Sequence, residues 1–180
     1  MLINQSFVNK DTIMKKITQF LLLTVLAFAG VSCKDDYVYS DLVQDNRPAV
    51  PVTYTGATTY GFDPYYEVSL AAGGNIKITL SIPASSGRTI KEITKVAAGA
   101  TSINAGTLTT AGNYNTAPIA GNGTTAEFTT TVKDFAAKRP AVPTTLLALP
   151  NFREIAFVFL VTLDNGSTVV ATPVRVRILA

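Results

Sequence analysis

The chain has 180 residues, with 15 Lys plus Arg against 12 Asp plus Glu, one cysteine, no histidine and no tryptophan. Without histidine there is no Ser-His-Asp or Cys-His catalysis and no histidine-ligated zinc or haem, and one cysteine makes neither an intrachain disulfide nor a thiolate metal cluster. Stability must come from packing Phe, Ile, Val and Leu, which a domain burying roughly 68–70 % of its unfolded surface can do without covalent staples.

Residues 1–13 hold Asp11 and a single cation, Lys10, and precede a second methionine with a better cationic start. Translation is therefore expected to begin at Met14. Met14-Lys15-Lys16 opens an apolar run of about 15 residues that ends in small side chains at Ala29-Gly30-Val31-Ser32, the layout of a secretory signal peptide. A bilayer core of roughly 30 Å needs about 20 apolar residues, so the run is short for a membrane-spanning helix. Cys33 follows it directly.

Gly30-Val31-Ser32-Cys33 resembles a bacterial lipobox, in which a peptidase cuts before the cysteine and the thiol carries diacylglycerol. Gly30 stands where a lipobox has an aliphatic residue. Cleavage after Ala27-Phe28-Ala29 is the competing reading, and it leaves Cys33 a free thiol. Lys34-Asp35-Asp36 is similar to the acidic signal that sends lipoproteins of Bacteroidota to the outer face of the outer membrane. The resemblance implies a cell-surface lipoprotein held by acyl chains: two or more anchor stably where one anchors marginally. Its membrane partner would be met through lipid on Cys33. The segments are then a signal peptide over 1–32, the lipidated cysteine with a flexible tether over 33–50, and a folded domain over 51–180. As a coil the tether spans on the order of 20–25 Å, unless Tyr37 and Tyr39 dock it on the domain or the lipid interface.

Residues 33–180 carry 12 Lys plus Arg and 11 Asp plus Glu, so the basicity of the whole chain resides largely in the leader. No basic cluster is longer than Lys138-Arg139, which argues against nucleic acid as a partner.

From Pro51 onward the patterns are those of strands. Tyr66 to Leu70 alternates, and so do Ile76, Ile78, Leu80 and Ile82, with Ala72-Gly73-Gly74-Asn75 between them reading as a hairpin turn. Arg88 to Val96 has helical spacing at Ile90, Ile93 and Val96, yet its β-branched content favours a bulged strand. Residues 97–125 read as long loops or short exposed strands. Ala126, Phe128 and Val132 alternate with polar residues as a half-exposed strand, and Lys133 to Leu149 has room for one helical turn before its prolines. Ile155 to Leu163 is a central strand, Asp164-Asn165-Gly166 a tight turn, and the return strand points Val174, Val176 and Ile178 inward with Arg175 and Arg177 outward. Pro173 marks an edge position or a bulge. About seven strands with turn signals every 8–12 residues predict an all-β, single β-sandwich of immunoglobulin-like or fibronectin-like topology.

The candidate ligand-binding residues are Tyr60, Asp63, Tyr65 and Tyr66, from an aromatic cluster with Tyr54 and Phe62 around Asp63-Pro64. Aromatic faces stack on sugar rings while a carboxylate accepts from hydroxyls. The competing reading packs these rings against the core, with Asp63-Pro64 as a plain turn, and it is the preferred one. Glu67, Glu92, Glu127 and Glu154 are the glutamates available for glycoside hydrolysis, but alternation faces each to water. No catalytic residue, metal site or cofactor is expected; no D-x-D-x-D-G array occurs. Asn122-Gly123-Thr124 and Asn165-Gly166-Ser167 read as turns. The expected function is a non-catalytic binding, adhesion or structural module with a protein or glycan ligand. The alternative is a glycan-capturing accessory of an outer-membrane nutrient-uptake system.

Overall fold

The structure, a computed structural model, describes residues 13–21, 48–60, 63–110, 112–145 and 152–180. The chain forms two compact units, Met1–Asn46 and Arg47–Ala180. In the first, residues 13–21 are helical, and Thr18 Oγ1 donates to the Met14 carbonyl at 2.8 Å. Among the described residues no helix is long and apolar enough to cross a membrane. Cys33, Lys34, Asp35, Asp36 and Phe62 lie outside the described residues.

The second unit is an all-β sandwich. Its strands are β1 (Thr53–Thr55), β2 (Tyr65–Ser69), β3 (Asn75–Ser81), β4 (Ile90–Gly99), β5 (Ile119–Ala120), β6 (Thr125–Thr131), β7 (Arg153–Leu163), β8 (Thr168–Val170) and β9 (Val174–Leu179). One sheet runs β1-β3-β6, and the other runs β2-β9-β7-β4-β5 with β8 also on β7. With β1, β3 and β6 as A, B and E, and β9, β7, β4 and β5 as G, F, C and C′, this is the strand order of an immunoglobulin-like sandwich, to which β2 is added beside G and β8 beside F. Beside β6, where a fourth strand of the first sheet would lie, the described residues place no strand, only Asn122 bridged to Thr125.

Alternation sets the faces. Ile76, Ile78 and Leu80 of β3 and Ala126 and Phe128 of β6 are buried against Ile155, Phe157, Phe159 and Val161 of β7. Phe128 sits 5.3 Å from both Phe157 and Phe159, ring centroid to centroid. These offset and edge-on contacts suit the ring quadrupoles. A smaller cluster, Leu108 on Ala97 and Val158, covers part of the outer face of the second sheet.

The strand expected over Arg88 to Val96 is real, and its helical spacing has a cause. The β4–β7 register shifts between Ile90 and Glu92 and again between Ile93 and Lys95. Each bulge adds one residue, so the inward positions fall three apart rather than two. Pro173 likewise marks a bulge. Leu160 faces Val170 while Phe157 faces Val174, one extra residue on the return side. Pro173 lies between β8, which pairs with β7 alone, and β9, which β2 covers only from Arg175 onward.

Three expectations are corrected. The Gly73-Gly74 turn is no hairpin: β2 pairs in parallel with β9, and β3 lies in the other sheet between β1 and β6. Gly73 and Gly74 have φ of 93° and 64°, and that left-handed pair carries the chain across the sandwich. Alternation specifies an inward face but not which sheet supplies it. Second, Val132 opens a helix, Val132–Lys138, rather than ending a strand. The Thr131 hydroxyl caps it by accepting from Asp134 N at 3.0 Å, with Asp134 in the first turn and Lys138 in the last, as the helix dipole favours. Third, Ala97, Ala98 and Gly99 belong to buried strand, not to an exposed loop.

Candidate binding face

Period two places Tyr65 and Glu67 of β2, Arg175 and Arg177 of β9, and Glu154 of β7 on the outward face of the second sheet. In register, Tyr65 lies beside Arg175 and Glu67 beside Arg177, while Glu154 faces Arg177 across the β7–β9 ladder. The bulge before Val174 makes this possible. The ladder running from the Asn165-Gly166 turn would set Glu154 opposite Val176, on the wrong face. One extra residue turns it to Arg177.

The charges interlock. Arg175 donates through Nε at 3.0 Å and Nη2 at 2.9 Å to Asp63 Oδ2, and through Nη1 at 3.3 Å to Glu154 Oε2. Arg177 Nε donates to Glu154 Oε1 at 2.9 Å. The Arg177 guanidinium carbon lies 3.6 Å from the Tyr65 ring centroid and 4.8 Å from that of Phe152. These are cation–π distances. The hydrogen bond to Glu154 raises the Arg177 pKa above its ordinary value, against an opposing desolvation, and Tyr65, Glu154 and Glu67 add to the rise. Glu154, expected to face open water, has a side chain only 16 % exposed beneath the two arginines.

The four candidate residues therefore divide. Asp63 and Tyr65 join this arginine ladder. Tyr66 turns toward the sandwich, packs against the core and donates from its hydroxyl to the Thr55 carbonyl at 2.7 Å. Tyr54 goes further in; its hydroxyl donates to the Thr172 carbonyl at 2.5 Å. Tyr60 is 91 % exposed. The core-packing reading holds for Tyr54 and Tyr66 and fails for Tyr60 and Tyr65.

The partners that complete the face are Glu154, Arg175, Arg177 and Phe152. The outward alternation of Glu154, Arg175 and Arg177 was legible while Phe152, just ahead of β7, carried no signal, and their meeting with Tyr65 and Asp63 depends on the parallel β2–β9 pairing, which no local pattern signals. After all these bonds the Arg177 Nη groups and Asp63 Oδ1 keep hydrogen-bonding capacity among the described residues, next to the rings of Tyr65 and the 40 %-exposed Phe152. Donors, an acceptor and flat apolar surface lie together, a chemistry of recognition.

Elsewhere Asn115 stitches a loop to β4, accepting from Val96 N at 2.8 Å and donating to the Thr94 and Ala117 carbonyls. Arg139 joins Ala98 O and Gly112 O at 2.9 and 2.7 Å. Among the described residues no group of His, Cys, Asp and Glu is arranged to hold a metal ion. No protein-family model, no curated protein and no solved structure matches this chain.

Proposed function

We propose that this is a non-catalytic surface lipoprotein, anchored in the outer membrane through acylated Cys33, whose β-sandwich is a binding or structural interaction module. The anchoring part rests on the residue order from Met14 to Asp36: cationic start, short apolar run, cysteine, acidic pair. The observation that carries the binding part is the outward face of β2, β9 and β7. Both oxygens of Glu154 accept from guanidinium groups, so this carboxylate is held as an ion-pair partner beneath the two arginines. What the face offers outward is ring surface and hydrogen-bonding groups.

Metabolic labelling with radioactive fatty acid tests the anchor. Label enters the wild-type chain and is lost in Cys33→Ser; equal labelling of both, or of neither, removes the address.

A second reading, a glycan-capturing accessory of a nutrient-uptake system, is favoured by one observation. The Tyr65 and Phe152 rings flank a guanidinium with unspent donors, a combination that suits the flat faces and hydroxyls of sugars. A glycan array separates the two. Sugar binding that disappears in Tyr65→Ala and Arg177→Ala but persists in Tyr66→Ala favours capture; an array without hits leaves the protein-interaction reading.

A further inference from the structure

We propose that the outward face of β2, β9 and β7 takes neutral, hydroxyl-rich sugars and turns away acidic ones, with Asp63 and Glu67 as the residues that set the preference. This inference rests on the glycan-capture reading and names its ligand class. Two guanidinium groups, Arg175 and Arg177, share the face with three carboxylates, Asp63, Glu67 and Glu154, which leaves one negative charge in excess. The next cation along β7, Arg153, alternates to the other side of the sheet and donates to Thr145 O at 3.0 Å.

The bonds within the ladder decide which groups remain for a ligand. Arg175 is committed through all three of its nitrogens to Asp63 and Glu154, and Glu154 is held between the two arginines. Arg177 Nη1 and Nη2 have no hydrogen-bond partner among the described residues, and they can only donate. Asp63 Oδ1 and the exposed Glu67 carboxylate likewise have none, and they can only accept. Glu67 lies in register beside Arg177, so open donors and an open acceptor adjoin.

A ligand that satisfies both kinds of group must donate and accept at neighbouring atoms. An ammonium only donates and a carboxylate or sulfate only accepts, whereas every sugar hydroxyl does both. An acidic substituent would reach the Arg177 donors only alongside Glu67, and like charges brought together at a contact select against the partner that carries them. The apolar side of a sugar ring is met as well. Phe152, 40 % exposed, stands 4.8 Å from the Arg177 guanidinium carbon and adds aromatic surface without charge.

The test uses the full chain in a detergent whose head groups carry no sugar. The probes are neutral oligosaccharides and uronate- or sulfate-bearing ones of matched length. Neutral members are expected to bind at least about fivefold more tightly at low ionic strength. Raising the salt to about 1 M, where the Debye length is about 3 Å, should narrow that gap. Glu67→Gln removes an exposed charge and breaks no hydrogen bond, so it should narrow the gap at low salt by gaining acidic ligands rather than by losing neutral ones. Arg177→Ala should lose both classes, which places the site; should it fail to fold by circular dichroism, Glu67→Gln decides. Acidic sugars bound as tightly as neutral ones, or a preference that Glu67→Gln leaves unchanged, overturns the proposal while glycan capture stands. Binding of no sugar at all overturns both.

Discussion

Arg177 and Tyr65 belong to neighbouring parallel strands, and the guanidinium carbon of one lies 3.6 Å from the ring centroid of the other. The contact joins chain segments more than a hundred residues apart and holds β2 onto β9 from outside, while Val68, Val176 and Ile178 hold it from within.

Arg177→Ala removes a cation–π contact and a charge-assisted bond to Glu154, whose carboxylate is left largely shielded. The expected loss is about 1–3 kcal/mol. Arg177→Lys recovers only part, since an ammonium cannot stack and bond through Nε together. Urea unfolding midpoints check this, and an unchanged midpoint for both variants would show that the ladder contributes nothing.

Gly121 has no room for a side chain. A Cβ there would lie 2.0 Å from the Ile90 carbonyl oxygen, so Gly121→Ala must push β5 off β4. It is expected to destabilise by roughly 1–3 kcal/mol. Gly123→Ala meets nothing within 4 Å but imposes an alanine at φ +60°, a cost of roughly 1–2 kcal/mol. Calorimetric unfolding of the two separates clash from backbone strain: the Gly121 variant alone should also lose amide-exchange protection along β4.

Phe157 touches the rings of Tyr114, Phe128, Phe135 and Phe159 and is fully buried. Phe157→Ala is expected to cost about 3–5 kcal/mol and Phe157→Leu distinctly less. Equal unfolding free energies for the two would mean that the core collapses freely around the cavity.

Burial pushes the Tyr54 hydroxyl far above its ordinary pKa of 10.0, with a smaller contribution from Tyr66. Burial also raises Tyr66 and Tyr114. The folded state thus resists ionisation that the unfolded chain permits. This stability is fully present below about pH 10 and is lost as pH rises above it, by at most about 1.4 kcal/mol per pH unit for each group. With no histidine in the chain, no side chain titrates with an ordinary pKa between 6 and 8, and stability should be level there. Tyr54→Phe should lower stability at neutral pH by losing the bond to Thr172 O, yet flatten the alkaline fall. Parallel alkaline slopes for wild type and variant would count against the buried hydroxyl as a source.

The sequence by itself determined the strands over 76–82 and 174–178, because alternating apolar residues can bury only one way along a pleated strand, and the central strand over 155–163, because a continuous apolar run must be covered on both faces. It determined the Asp164-Asn165-Gly166 turn through the φ of 81° that Gly166 tolerates. At Pro173 it left an edge position or a bulge open, and the structure supplied the bulge: Val169 and Val174 both pack inward, and an odd and an even position share a face only if one residue is added between them. It could not say that Tyr65 and Asp63 would meet Arg175 and Arg177 while Tyr66 turned the other way into the core. Alternation encodes a face, but the hydrogen bonds joining strands are made by backbone groups alike at every non-proline residue. The choice of neighbour was therefore left to how all the inward faces pack at once, and only the tertiary structure decided it.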